Sequence, residues 1–118
     1  MTVSEYITAL TKVKISNVDS YDLKNKYGRD IPKIILQIAV YDEKAVFLDN
    51  GTRMLSGDEI LNFKKDMKLD DSSSTLVPIA DKGDNDFVVY DMKSGKWMIF
   101  NAVDSTVFRK SGTFVNLL

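Results

Sequence analysis

The chain has 118 residues, 44% of them apolar and 28% charged, with 16 basic and 17 acidic residues for a net charge of −1. This is the size and composition of one ordinary globular domain that buries a core without disulfides or metal, and it lacks the basic excess of a nucleic-acid binder. Cysteine and histidine are both absent, which excludes disulfide scaffolds, thiolate zinc sites, cysteine nucleophiles, Ser-His-Asp triads and histidine acid–base or ligand chemistry.

Thr2-Val3-Ser4-Glu5 matches a capping box. With Tyr6, Ile7, Leu10, Val13 and Lys14 at helical spacing, it predicts a helix over residues 3–14. No basic stretch leads into an apolar core here, so no signal peptide is expected and a cytoplasmic location is. Asp19 or Ser20 is placed to cap a second helix ending near Tyr27, with Gly28 as its C-terminal cap. Pro32 suits a first helical position, and Ile34, Ile35, Ile38 and Ala39 form a helical stripe. Residues 32–41 therefore read as a helix ending at Tyr41-Asp42, with a strand as the alternative that their β-branched content allows. The apolar run of residues 34–41, interrupted by Gln37, is too short to span a bilayer.

Asn50-Gly51 between two apolar runs predicts a hairpin with a type I′ turn. It reads as a turn rather than as the glycosylation sequon that Asn50-Gly51-Thr52 also matches. Ser56-Gly57-Asp58-Glu59 opens another helix, with Ile60, Leu61 and Phe63 on its apolar side and Lys64, Lys65 and Lys68 near its end. Residues 70–75 are polar and read as a loop. Residues 76–80 read as a strand whose Pro78 calls for an edge or a strand start. Residues 87–91 and 97–101 are strands apolar on both faces, joined by Lys93-Ser94-Gly95-Lys96. Residues 108–118 form a short terminal strand or helix. No repeat or linker divides residues 1–118, which read as a single domain.

Four features bear on chemistry. Asp81, Asp84 and Asp86 form an acidic loop, with Asp91 at the end of the following strand. They admit three readings: turn formers that bond local amides, a partner-facing acidic patch, or a metal site. Counted from Asp81, the third calcium-loop position is Gly83 and the twelfth is Met92, so the EF-hand pattern fails. Asp58, Glu59, Asp81 and Asp91 are carboxylates that a hydrolase can use in pairs, but no spacing selects a pair, and Asp58 and Glu59 are explained by a helix N-terminus. Ser94-Gly95-Lys96 lacks the remaining residues of a P-loop and is a hairpin turn. Phe87, Tyr90, Trp97 and Phe100 read as core, with Trp97 a partly exposed interface anchor as the alternative.

The order of these features is similar to the SUKH superfamily of bacterial toxin-immunity proteins and fungal cell-wall-assembly regulators. Tyr27-Gly28 followed by Ile31-Pro32 resembles its entry into the proline-led helix. Leu76-Val77-Pro78-Ile79-Ala80-Asp81 resembles its proline-containing strand. Asp84, Asp86, Tyr90, Asp91, Gly95-Lys96 and Trp97 to Phe100 resemble its acidic turn and hairpin, and Ser111 and Phe114 weakly resemble its C-terminal helix. The resemblance implies an α+β fold with helices packed against a mostly antiparallel sheet. It implies no catalysis and no cofactor. It further implies a cytoplasmic immunity protein that binds and blocks a cognate toxin, often a nuclease, without itself contacting nucleic acid or membrane. Asp81, Asp84, Asp86, Asp91 and Trp97 are then the candidate partner-binding residues, facing a basic toxin domain. The alternatives are a regulatory scaffold for cell-envelope or signalling proteins and, more remotely, a carboxylate-dependent hydrolase.

Overall fold

Three capping boxes start three of the helices. The structure, a computed structural model, describes residues 1–41 and 46–118. In each box a hydroxyl accepts from the amide three residues on, and the carboxylate there accepts from the cap's own amide. Thr2 and Glu5 open α1 (Val3–Leu10), Ser16 and Asp19 open α2 (Asn17–Tyr27), and Ser56 and Glu59 open α4 (Gly57–Leu61). The cap of α2 is thus Ser16, not Asp19 or Ser20, because Asp19 serves as the returning carboxylate. α1 ends four residues before its expected limit. The Thr11 hydroxyl donates to the Thr8 carbonyl at 2.6 Å, and the amides of Lys12 and Val13 donate to carbonyls three residues back, which tightens the chain out of the α-helix.

Residues Lys33–Tyr41 form α3, so the helical stripe prevails over β-branched content. Asp42 lies outside the described residues. The expected helix after Ser56 breaks at Asn62 into α4 and α5 (Phe63–Asp66). α5 closes with Lys68 at φ +54°, where the Leu69 amide donates to the Lys64 carbonyl and the Lys68 amide to that of Lys65, a Schellman pattern without glycine.

The strands β1 (Val46–Phe47), β2 (Arg53–Met54), β3 (Leu76–Gly83), β4 (Asp86–Asp91), β5 (Lys96–Asn101) and β6 (Thr106–Ser111) form one antiparallel sheet in sequence order. The fold is therefore α+β with helices on an antiparallel sheet. The β1–β2 connection is not type I′: Gly51 has φ +88° but Asn50 has no positive φ, and the Gly51 amide closes a turn on the Leu48 carbonyl. The type I′ turn occurs instead between β3 and β4, where Asp84 and Asn85 have φ +53° and +64° and Gly83 pairs with Asp86. The strand that opens at Leu76 thus runs through Asp81 to Gly83 before the chain turns. Pro78 sits beyond the short β2, so its missing donor falls on an open stretch of β3. The 3-10 turn Asp71–Ser73 lies within the expected loop.

Register assigns the sheet faces. Arg53, Asp81, Phe87 and Phe100 share one face, and Met54, Ala80, Val88 and Ile99 the other. Helices cover the first, with Phe63 of α5 edge-on to Phe87 at 5.0 Å. The C-terminal segment covers the second, with Phe114 against Trp97 at 5.2 Å and Leu117 of the 3-10 turn Val115–Leu117 buried. That two-sided cover is why Phe87 to Val89 and Trp97 to Phe100 are all buried. Among the described residues no helix is long and apolar enough to cross a membrane.

The Asp84-Asn85 turn makes a direct stability prediction. Valine in a left-handed conformation costs about 1–2 kcal/mol, so Asn85→Val lowers the unfolding free energy by about that amount in urea titration, and Asn85→Gly does not lower it.

Candidate functional site

The β2–β3 register and the capping box of α4 together build an ion cluster. Register sets Arg53 beside Asp81, and the box aims Glu59 back over the helix start. The Arg53 guanidinium donates through Nη1 to both Glu59 oxygens, at 2.9 and 2.8 Å, and through Nη2 to Asp81 Oδ2 at 3.3 Å. Glu59 Oε1 also accepts from the Ser56 amide at 3.1 Å, and Asp81 Oδ1 from the Gly83 amide at 2.8 Å. Burial alone would raise the Glu59 carboxyl, but the Ser56 amide and the Arg53 guanidinium outweigh it and hold the group below its ordinary value. Burial pulls Arg53 down, and its two carboxylates more than restore it.

This cluster forms one wall of a cleft of about 400 Å³. Leu55, Phe63, Met67 and Phe87 supply its apolar part, while Asp66 and the Asp84-Asn85 turn stand at its rim. Among the described residues that line it, four carboxylates, those of Glu59, Asp66, Asp81 and Asp84, stand against one guanidinium, so this lining is net negative. The Asp84 carboxylate has no hydrogen bond or ion pair among the described residues. The backbone of its residue is held, with the Asp84 carbonyl accepting from Asn101 Nδ2 at 3.3 Å.

The structure therefore separates the aspartates that the sequence grouped. Asp81 and Asp84 line the cleft. Asp86 lies on the opposite face and accepts from Asn101 Nδ2 at 2.8 Å. Asp91 is at the far end of β4, about 17 Å away by strand geometry, where Oδ1 accepts from the Thr75 hydroxyl and the Lys93 amide at 2.9 and 3.0 Å. Burial pushes the Asp91 carboxyl up, but those bonds, with Ser94, hold it below its ordinary value. Trp97 is not an exposed anchor. It is buried, with its ring between those of Tyr90 and Phe114. Ser94-Gly95-Lys96 is a turn, with Gly95 at φ +71°.

Of the hydrolase carboxylates, Glu59 and Asp81 meet across Arg53, whereas Asp58 and Asp91 lie elsewhere. The sequence reading passed over Arg53, Asp66, Leu55 and Met67. The one available signal was Arg53 as a lone cation between Thr52 and Met54 in a strand, six residues before the capping-box glutamate. Comparison with protein-family models, curated proteins and solved structures finds no match.

Glu59 ties the cleft to acid stability. Its folded-state value lies below the ordinary 4.5, so its contribution is fully present above that pH and is lost as pH falls through the lower folded value. Glu59→Gln therefore lowers the melting temperature at neutral pH and flattens its fall as pH drops below the ordinary 4.5, as read by circular dichroism along an acid series.

Proposed function

We propose that the protein is a non-catalytic binding protein that neutralises a basic protein partner in the cytoplasm, as an immunity protein does its toxin. The observation that carries this reading is the acidic cleft between α4–α5 and the β3–β4 turn. Its apolar part matches the methylene stem of a lysine or arginine, and its carboxylate rim matches the charged head. Asp84, at the rim with a side chain held by nothing else among the described residues, is free to meet that head.

The resemblance to the SUKH superfamily favours a toxin as the partner, and the α+β fold agrees with it. Catalysis is not favoured by the cleft's own carboxylates. Glu59 and Asp81 are both committed to Arg53, and Glu59 is shifted away from the protonated form that a general acid needs. Under this reading Asp84 and Asp66 contact the partner, Asp81 acts by holding Arg53, and Asp86, Asp91 and Trp97 support the sheet.

The test is co-purification with the product of an adjacent toxin gene, followed by calorimetry on the pair. Asp66→Asn with Asp84→Asn weakens the complex about tenfold or more and leaves the melting temperature unchanged, since both side chains are exposed and asparagine keeps the left-handed conformation at position 84. Unchanged affinity in that variant refutes the cleft as the contact. If no toxin gene adjoins and the protein retains no partner from its own cytosol, the function itself is refuted.

A further inference from the structure

Among the described residues β6 is the last strand of the sheet and pairs only with β5, so the outward groups of its backbone have no strand partner there. Residues 106–110 are all exposed, and Phe108 is 59% and Val107 40% accessible. The register steps from Ile99 opposite Arg109 to Phe100 opposite Val107, which leaves Phe108 as the bulged and exposed residue. Arg109 and Lys110 follow it. Neither has an ion-pair partner among the described residues. Arg109 shares its face with Ile99 and Lys110 shares the opposite face with Met98, so one cation stands on each side of the same edge. On the Arg109 side Lys82 adds a further positive charge. Its amino group donates to the Leu118 carbonyl at 2.8 Å, and no carboxylate side chain pairs with it among the described residues.

An open edge of this length is a template for another strand, and proteins blunt such edges with bulges and lysines. Both devices are present, and together they define what the edge admits. Any added strand has to accommodate the bulge at Phe108, so the charges decide between occupants. A second copy of β6 running antiparallel sets two adjacent cations against two adjacent cations, and like charges directly opposite destabilise a ladder. An extended segment with two neighbouring acidic residues avoids that repulsion and gains two opposite-charge pairs. Neighbouring residues of a strand point to opposite faces, so its two carboxylates reach Arg109 on one side and Lys110 on the other, with an apolar residue beside them against Phe108.

We propose that the outer edge of β6 is a second binding surface, which takes an extended acidic segment of a partner protein as a seventh strand. Main-chain hydrogen bonds supply the affinity and the two cations supply the choice of sequence. This surface differs from the cleft in position, charge and partner chemistry, so the proposal does not depend on the toxin reading.

The probe is a short capped peptide with two adjacent central glutamates flanked by valine and threonine, titrated into nitrogen-15-labelled protein. Amide shifts confined to residues 106–111 and their neighbours in β5, with slowed exchange of the β6 amides, are expected. A peptide N-methylated at alternate amides does not bind, since it cannot pair. Arg109→Glu with Lys110→Glu weakens the acidic peptide about tenfold or more and admits the same peptide with lysines in place of glutamates. Circular dichroism checks that the variant folds, and both residues are exposed. Equal binding of the N-methylated peptide reduces the contact to charge alone and overturns the proposal. Shifts centred on the Asp84 turn do the same. Self-association that the double variant abolishes assigns the edge to a second copy and also overturns it.

Discussion

The Arg53 guanidinium joins three parts of the chain that sequence separates: the second strand of the first hairpin, the start of α4 and the middle of β3. Its two carboxylates are already employed locally. Glu59 completes the capping box with Ser56, and Asp81 holds the Gly83 amide where β3 bulges before its turn. The ion cluster therefore couples a helix cap to a strand irregularity. Arginine suits this position better than lysine, because its planar fork serves both oxygens of Glu59 and Asp81 at once. Without it two partly buried carboxylates would face each other beside two more at the rim, and the side of the sheet near α4 would carry unbalanced charge in a half-dry setting. Among the described residues that line the acidic cleft, Arg53 is the cation that offsets part of its charge.

A second convergence lies on the first hairpin. The Met1 amino group pairs with Asp49 at 2.6 Å, and the Asp49 amide donates back to the Met1 carbonyl. From the other side Asn50 Nδ2 and Lys82 Nζ each donate to the Leu118 carbonyl at 2.8 Å. A hairpin whose paired strands have two residues each is too short to stand alone. Here both flanking segments are bound to its loop, and Leu48, Thr52, Met54 and Leu55 are buried. The same contacts tie the segment that carries Phe114 and Leu117 over the second sheet face to the hairpin.

What the sequence revealed was local. Capping boxes bring both halves of a contact within three residues, so α1 and α4 start where the pattern says. In α2 Ser16 and Asp19 form the same box, with an aspartate in the place usually held by glutamate or glutamine, which makes it less legible than the other two. The buried strands 86–91 and 96–101 announced themselves by apolar residues on both faces. Turn type was less legible. Asn-Gly favours positive φ, but the pairing of Leu48 with Thr52 imposes a longer loop at Asn50, while Asp84-Asn85 adopts the mirror-image turn without a central glycine. The cleft was not legible, because it depends on β2 meeting β3 across more than twenty residues and on the rotation that the break at Asn62 gives α5. No spacing rule links Arg53 to Asp81. The grouping of Asp86 and Asp91 with Asp81 failed for a simple reason: alternation sends Asp86 to the other face, and the length of β4 carries Asp91 to the other end.

Net charge concealed the most consequential property. A balance of −1 reads as an unremarkable surface, yet the fold sorts charge by place. Carboxylates gather around the cleft on the helix-covered side, and cations that no carboxylate side chain pairs among the described residues gather at the β6 edge. From Asp81 the path to the edge crosses β4 and β5, three strand spacings or about 14 Å. That exceeds the screening length of about 8 Å in physiological salt, while Lys82, next to Asp81 in β3, reaches Arg109 electrostatically across the other sheet face. The central strands between them are buried on both faces. The two surfaces are thus opposite in charge and stand on parts of the sheet separated by that buried core. On the two proposals made above, a basic group at the cleft and an acidic strand at the edge would therefore occupy different places and not compete.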